Sequence, residues 1–475
     1  MSNEFDLSKA LTVRTFGFNV PCRQFLINAQ VSRDRRMPIV DEFILRALFI
    51  CDRVPAKRLA GFFGFNAGEL EVVLRDLQNR NLVIIADEYV QLTVSAKDMF
   101  KTSPDGRPTI IETEAFPSRI WYDLISQSMI EWDGLHNVRN LIELKATSSK
   151  SDLAEEFARQ AFHDNFREYL RRIRHIKNPD EWSLYAVSDV EAGRFSYAQV
   201  AGKEELVLDP HPMLVTTLLE RGDDRPQRLR LLTDAMSKAF HDVSEPEPSI
   251  VSRTDFSRLT DTKTLGSAVR TDGFLELSQW LTSEAARNDP HGQAFVGQSY
   301  LDRNRKLLVA LLARSEKLKS GTQSYNYDVV WHRPGGTAWG RTADLSEALG
   351  DIRAALRRGN KTDVQISTSL VMPPGLSGEK VKRFDRMFEE GVISDSGVLS
   401  PAMEVLLIAD IGAVISVYVP LSADTSVWIG RMTVDPTLMN KLEGQFGKAS
   451  IAPRTRAWSR AIANASNNRG ETTIS

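Results

Sequence analysis

The fold of this chain is decided by residues 41–100, which read DEFILRALFI CDRVPAKRLA GFFGFNAGEL EVVLRDLQNR NLVIIADEYV QLTVSAKDMF. The stretch divides into three helix-like segments, 41–51, 55–63 and 67–80, and two strand-like runs, 82–85 and 89–93. In the first and third segments apolar residues recur at spacings of three and four, which predicts amphipathic helices. The two runs flank a two-residue turn and predict a hairpin. Asn66, with Glu69 three residues later, predicts a capping box on the third helix.

Three helices followed by a hairpin resemble a winged helix-turn-helix domain. In DNA-binding members the third helix enters the major groove and its N-terminal residues contact base edges. Here those positions hold Gly68, Glu69 and Glu71, and carboxylates repel phosphates. The turn at Asp87-Glu88 is acidic as well. The resemblance therefore implies either non-specific contact with nucleic acid or a domain that docks or dimerises with protein, rather than a reader of base sequence.

Two groups of cations are candidates for contact with a phosphate backbone. The first lies on the winged helix and comprises Lys57, Arg58, Arg75 and Arg80. The second is the densest basic cluster of the chain, on a long helix predicted over 153–177, and comprises Arg167, Arg171, Arg172, Arg174 and Lys177. Cations near the end of a helix also suit its dipole, so this cluster is equally typical of a solvated helix face.

Composition describes an ordinary soluble globular protein of two to four domains. The chain has 475 residues, of which 42% are hydrophobic and 26% charged, and its formal net charge is −2. That balance removes any global electrostatic attraction to nucleic acid. Cys22 and Cys51 are expected as buried thiols in a reducing compartment. No apolar run could span a membrane and no secretory signal is visible, which predicts a cytoplasmic protein without membrane contact.

The predicted fold class is α+β multidomain: an N-terminal winged helix, a central α+β region and a C-terminal α/β domain with a mostly parallel sheet. The predicted divisions are 1–100, 109–241, a linker at 242–266, 267–446, and a flexible basic tail at 447–475. Within them we expect a strand at 11–18 and helices at 21–30 and 117–131.

No motif for a metal, a nucleotide loop or a nucleophile elbow occurs, so the sequence predicts no metal, no cofactor and no catalytic residue. The segment 330–336, Val-Trp-His-Arg-Pro-Gly-Gly, follows a predicted strand. At the carboxyl end of a parallel strand it would lie where open α/β sheets bind ligands. A stacked tryptophan and a tight turn would explain the same residues.

The order of segments from 328 to 446 resembles half of a phospholipase D-like domain. In that family a signature strand carries His, then Lys two residues on, then Asp five further. The matching strand here, 403–410, has Met403 and Val405 in place of His and Lys, while Asp410 matches the acidic position. A thioether cannot attack phosphorus and a valine carries no charge. The resemblance implies a degenerate, non-catalytic domain.

Together these features predict a non-catalytic, nucleic-acid-associated or assembly component. Partner proteins and self-association as a homodimer are further expectations. Winged helices joined to degenerate nuclease-like domains resemble components of bacterial anti-phage defence systems. Two alternatives stay open. One is a divergent phospholipase D-like phosphodiesterase with its nucleophile near His332 and Asp410. The other is a transcription regulator with a ligand-sensing C-terminal domain, against which the acidic third helix counts.

Overall fold

The computed structural model describes residues 10–102, 109–131, 136–146, 155–219, 225–240, 242–315, 318, 326–358, 364–376, 378–395, 398–451 and 454–459. Helices and strands are mixed throughout and form three separate sheets. This confirms the α+β multidomain class.

The N-terminal part contains β1 Leu11–Arg36, α1 Ile39–Cys51, β2 Arg53–Pro55, α2 Ala56–Phe63, α3 Ala67–Asn79, β3 Val83–Ala86, β4 Tyr89–Leu92 and α4 Val94–Thr102. The central part contains β5 Thr109–Asp123, β6 Met129–Ile130, β7 Ile142–Glu143, α5 Glu155–Asp164, α6 Phe166–Arg172, a 3-10 turn Pro179–Glu181, β8 Trp182–Val207, β9 Met213–Leu219 and α7 Pro226–Phe240.

The C-terminal part begins with α8 Ile250–Thr260, α9 Thr264–Ala268, α10 Leu277–Ala286, β10 Gly292–Val296, α11 Asp302–Leu312, β11 Asn326–His332, α12 Asp344–Arg358 and β12 Gln365–Met372. It ends with α13 Glu379–Lys382, β13 Glu390–Ile393, β14 Met403–Ile408, β15 Gly412–Pro420, β16 Ser426–Thr433, α14 Pro436–Phe446, α15 Lys448–Ile451 and β17 Thr455–Ser459.

Three helices and a hairpin form where the sequence predicts them, and the name winged helix is kept for residues 37–100. Helices α1 to α3 pack against a three-stranded sheet of order β2-β4-β3, and every residue of their shared core comes from 37–100. The Asn66 side chain accepts the Glu69 N–H at 2.9 Å and the Glu69 carboxylate accepts the Asn66 N–H at 2.9 Å, so the capping box is present. The domain therefore holds itself together through local contacts.

The winged helix lies at the far end of a long ribbon. Strands β1 and β8 have 26 residues each and pair antiparallel, which spans about 85 Å at ~3.3 Å per residue. Leu11 pairs with Leu206 at one end and Arg33 with Trp182 at the other. Because α1 begins just after β1 ends, the winged helix extends from the Arg33 end. The sheet order is β6-β5-β1-β8-β9, with β7 beside β1.

The helices predicted at 21–30 and 117–131 are wrong. Residues 21–30 and 117–123 lie in the paired strands β1 and β5, and a turn then leads into β6 at 129–130. The covered face of β1 changes halfway along. Phe18 and Val20 pack under α7, whereas Phe25 and Ile27 pack on the opposite face under α5 and α6. The switch leaves apolar residues at helix-like spacings, although each half alternates as a strand does.

Three other predicted segments also differ. The helix predicted over 153–177 is broken at Asn165, between α5 and α6, and ends at Arg172. The predicted linker at 242–266 contains α8, which Ser249 caps through its hydroxyl. In the predicted flexible tail, β17 pairs with β13, and residues 460–475 lie outside the described part.

The C-terminal domain is a mixed rather than a mostly parallel sheet. Its order is β10-β16-β15-β14-β11-β12-β13-β17, and among these strands β11, β12 and β13 run parallel while the other pairings are antiparallel. One face packs on α11 and α12, and the other on α8, α10 and α14.

A buried ion cluster joins the base of the ribbon to the C-terminal domain. Arg14 on β1 contacts Glu204 on β8 at 2.7 Å and Glu245 at 2.5 Å. The Trp428 indole N–H donates to Glu245 at 3.3 Å, and the Gly17 N–H donates to the Arg341 carbonyl at 2.8 Å. The near end of β1 is therefore built into the domain that β11 to β17 form.

Both cysteines are free thiols; Cys22 is buried as expected, but Cys51 at the end of α1 is exposed. Among the described helices, none combines the length and the apolarity that a bilayer crossing requires.

The central sheet contains a buried ion pair whose loss we expect to be costly. Arg228 donates to Asp123 at 2.9 Å, and the two side chains are 4% and 0% exposed. Asp123→Ala should lower the free energy of unfolding by about 3–5 kcal/mol, because it leaves a buried guanidinium without its carboxylate. The measurement is urea denaturation.

Glu71→Ala is the matched control, since Glu71 pairs with Arg75 on the surface, where such pairs contribute about 0–1 kcal/mol. Equal losses in the two variants would contradict this account of the central sheet.

Candidate functional site

The two predicted cations of α2 are free to contact a ligand. Lys57 and Arg58 occupy the first turn of α2 and are exposed. Within the described residues neither forms an ion pair. In DNA-binding helix-turn-helix domains the helix before the recognition helix crosses the backbone, so these positions suit phosphate contact.

The two predicted cations of α3 are engaged with carboxylates. Arg75 contacts Glu71 at 2.6 Å, and Arg80 contacts Asp41 at 2.8 Å and Asp76 at 2.9 Å. Glu71 and Asp76 lie on the exposed surface of α3. The helix that would face a groove is therefore acidic, as its sequence predicted, whereas the pairing of its two arginines with carboxylates was not predicted.

The basic cluster at 167–177 also contains both engaged and unpaired cations. Arg167 lies 3.8 Å from Asp180, Arg172 lies 3.1 Å from Glu168, and the Arg174 guanidinium lies 5.1 Å from the centroid of the Phe116 ring. Arg171 and Lys177 are exposed, and in the part of the chain described here they form no ion pair. The five cations do not form one helix face, because the helix ends at Arg172.

The structure brings the two cation groups to the same end of the ribbon. Trp182, which follows the 3-10 turn after α6, pairs with Arg33 near the end of β1. The winged helix begins six residues later, at Ile39. Arg174 stacks on Phe116 of β5, whose partner in β1 is Ala29. Both groups therefore lie far from the C-terminal domain.

The degenerate motif positions do not form a site. Met403 and Val405 are 0% exposed and pack in the core beneath α8 and α14. Asp410 lies in the turn after β14 with φ of 62°. His332 pairs with Val405, whereas Asp410 follows Ile408, the partner of Val329. His332 and Asp410 thus lie at opposite ends of the strand pair, and the pair that the phosphodiesterase alternative needs is not formed.

Between these positions lies a buried carboxylate that sequence reasoning missed. Glu404 is 2% exposed and accepts hydrogen bonds from the indole N–H groups of Trp331 at 2.7 Å and Trp339 at 2.8 Å, and from the Ser299 hydroxyl at 3.0 Å. Burial raises the pKa of the Glu404 carboxyl. An acidic residue inside the apolar run 403–408 was the available signal. Its contacts tie three segments together inside the domain.

A cleft opens at the carboxyl ends of the parallel strands β11, β12 and β13, beside the start of α8. It has a volume of about 510 Å³, and its lining includes Ser249, His332, Arg333, Met372, Asp395 and Pro401. Ligand pockets commonly occupy this position and this range of volumes. The segment 330–336 thus borders a cleft, while Trp331 within it packs in the core.

His332 at the cleft floor is buried rather than reactive. Its Nε2 lies 2.9 Å from the Phe446 carbonyl oxygen, and the side chain is 2% exposed. Burial lowers the pKa of His332 to about 4, so the imidazole is neutral at pH 7. Among the described residues no group of His, Cys, Asp or Glu is arranged to hold a metal ion.

Comparison with known proteins identifies no family for this chain. No family model matches the sequence, and no curated protein matches it. A solved structure of TrmBL2, an archaeal chromatin protein described as showing a novel mode of DNA binding, aligns over 88% of this chain and 94% of that chain. The identity is 9% and the TM-score is 0.20, and at that score the likeness supports no conclusion about fold or function.

The buried histidine predicts an acid-dependent stability. Its folded pKa of about 4 lies below the unfolded value of 6.5, so below pH 6.5 the unfolded chain takes up a proton that the folded chain does not. Stability is therefore lost as the pH falls from about 6.5 to about 4. Between pH 7 and pH 5 the loss from this group should be about 2 kcal/mol.

His332→Gln keeps an amide donor near Phe446 but does not titrate. Urea denaturation at pH 7 and pH 5 should show a smaller acid loss in this variant than in the parent chain. If both chains lose the same free energy of unfolding between pH 7 and pH 5, His332 does not cause the acid dependence.

Proposed function

We propose that this protein is a non-catalytic, nucleic-acid-associated assembly component that contacts the phosphate backbone of duplex DNA. The observation that supports this most directly is the exposure of Lys57, Arg58, Arg171 and Lys177, none of which has an ion-pair partner among the described residues. Unpaired cations at one end of the ribbon offer phosphate contacts without competition from internal carboxylates.

Contact of this kind would not read base sequence. Base readout requires polar side chains of a recognition helix to reach base edges in the major groove. On α3 the exposed charges are Glu69, Glu71 and Asp76 beside the paired Arg75. Affinity would therefore come from phosphates alone and would depend strongly on salt. The defence-system context and the phospholipase D-like resemblance remain hypotheses that rest on sequence.

Salt dependence separates the free cations from the paired ones. The full-length chain should bind a fluorescent DNA duplex at low salt, and Lys57→Ala/Arg58→Ala should reduce the slope of log K against log salt by about 2, because each phosphate contact contributes ~0.9. Fluorescence anisotropy across a salt series gives both slopes.

Glu71→Ala/Arg75→Ala is the matched control, since it removes one paired charge of each sign and should leave the slope unchanged. The proposal fails if the full-length chain does not bind duplex at low salt, or if the two double variants behave alike.

The winged helix also carries a surface that suits protein docking. Of the sixteen large apolar side chains that are exposed among the described residues, ten lie between residues 39 and 94. On α1, Ile39, Phe43 and Ile50 are 73%, 53% and 80% exposed and, with the half-buried Ala47, share one helix face. An apolar stripe on a solvent-facing helix is typical of an interface.

The partner that we propose for this stripe is a second copy of the chain. Glu42 and Arg46 flank the stripe on successive turns and contact each other at 3.2 Å. An antiparallel twofold arrangement of two α1 helices would bring Glu42 of one copy near Arg46 of the other, so the face is complementary to itself in charge. Isologous interfaces have this property.

Phe43→Glu should therefore shift the chain from dimer to monomer, because it places two carboxylates in the centre of the apolar stripe. Analytical ultracentrifugation measures the change. Phe62→Glu is the matched control, because Phe62 on α2 is 79% exposed but lies off the stripe.

A chain that is monomeric without substitution would remove the dimer proposal, and so would equal effects of the two variants.

A further inference from the structure

One exposed arginine of the winged helix is held against an aromatic ring. The guanidinium carbon of Arg53, on β2, lies 4.2 Å from the centroid of the Tyr89 ring on β4. Arg53 is exposed, and in the part of the chain that the structure describes it pairs with no carboxylate. Contact with the face of an aromatic ring attracts a cation and restricts its side chain, but it does not cancel the charge. The guanidinium is therefore positioned without being neutralised.

The strand pairing explains why this contact forms. Strands β2 and β4 run antiparallel, with Arg53 opposite Gln91 and Pro55 opposite Tyr89. Side chains that are paired, or two residues apart on one strand, point to the same face of a sheet. These four therefore share the outer face, whereas Val90, on the other face, is fully buried in the core. Tyr89 is the diagonal neighbour of Arg53, a spacing that aromatic and long side chains can bridge.

This arginine lies close to the two free cations of α2. Lys57 and Arg58 follow Arg53 by four and five residues, and the Ala56 N–H at the start of α2 donates to the Glu88 carbonyl at 2.8 Å. Because each residue extends the chain by at most ~3.6 Å, the Cα atoms of Arg53 and Lys57 are no more than about 14 Å apart. A DNA duplex carries one phosphate charge per ~1.7 Å of its axis. The three cations therefore fall within the span of several phosphates.

The carboxylates nearest to Arg53 leave it available. Asp52, its neighbour in sequence, contacts Lys97 instead. Asp87 and Glu88 at the tip of the hairpin are exposed, and neither carboxylate lies within 4.0 Å of the Arg53 guanidinium. Their charge repels phosphates from the tip itself. Since β2 is an edge strand of its sheet, the side of the hairpin that carries Arg53 remains open to approach.

We infer that Arg53 is a third phosphate contact of the winged helix and that Tyr89 is the residue that positions it. This contact rests on the duplex binding proposed above and extends it from α2 to β2. With the ring on one side, the guanidinium can still donate two N–H groups to two oxygens of one phosphate. A lysine at this position would carry the charge without the paired donors.

Anisotropy of a fluorescent DNA duplex, measured with the full-length chain across a salt series, tests this contact. Arg53→Ala should lower the slope of log K against log salt by about 0.9, because one phosphate contact is lost. The same decrease should appear when Arg53→Ala is added to Lys57→Ala/Arg58→Ala, since each contact releases its own counterions. Lys306→Ala is the matched control: this exposed lysine on α11 pairs with Asp302, and its loss changes the net charge equally but should leave the slope unchanged.

Three further variants separate the charge of the arginine from its position. Arg53→Lys keeps the charge, and Tyr89→Leu removes only the ring. Both should keep the slope but weaken binding at low salt by roughly threefold to tenfold, because a mobile side chain must then be ordered on binding. Tyr89→Phe keeps the face of the ring and should bind as the parent chain does. A purely structural role of Tyr89 would lower the Tm of Tyr89→Leu and leave its affinity for the duplex unchanged.

The results for this contact and for duplex binding itself can be told apart. If Lys57→Ala/Arg58→Ala lowers the slope but Arg53→Ala behaves like Lys306→Ala, the contact is refuted and duplex binding stands. If Arg53→Ala lowers the slope but Tyr89→Leu binds as the parent chain does, the positioning role of Tyr89 is refuted. A parent chain that does not bind duplex at low salt refutes both the contact and the proposed function.

Discussion

The antiparallel pairing of β1 with β8 is the constraint on which the rest of the structure depends. Its hydrogen bonds run from Leu11 beside Leu206 to Arg33 beside Trp182, so one end is held in the C-terminal domain while the other carries the winged helix. At the near end the ion cluster of Arg14 joins the two strands to the segment at Glu245. Without this ladder the winged helix, whose core is entirely its own, would have no defined position relative to the cleft.

The cations at the two ends of this ribbon differ in how far they are exposed to solvent. At the far end the unpaired cations are exposed, as Lys57 and Arg58 are, where water screens them and a phosphate backbone can reach them. At the near end Arg333 and Arg341 are buried, and neither forms an ion pair with another residue in the part of the chain that the structure describes. The Arg341 carbonyl accepts a hydrogen bond from Gly17 of β1, so Arg341 lies directly against the base of the ribbon.

How well the sequence predicted each part follows the range of the contacts involved. The winged helix was predicted because its caps and apolar stripes act between residues close in sequence, as the Asn66–Glu69 box shows. Part of β1 was mistaken for a helix because the face of β1 that is covered changes between Val20 and Phe25 as α7 gives way to α5 and α6. In the C-terminal domain the order of helices and strands was visible, but the directions in which the strands pair are set by contacts between distant residues.

By itself, the sequence determined the winged helix, the acidic surface of α3 and the absence of recognisable catalytic motifs, because these depend on residue type and short spacing. Only the tertiary structure decided which cations are free. Arg75 and Arg80 look as available as Lys57 and Arg58 in the sequence, yet Arg80 meets Asp41 from a separate helix. Tertiary structure also placed Glu404 within hydrogen-bond distance of two indoles, and it buried Arg333 and Arg341 where no carboxylate of the described residues pairs with them. Pairing and burial depend on which distant segments meet, and no local pattern records that.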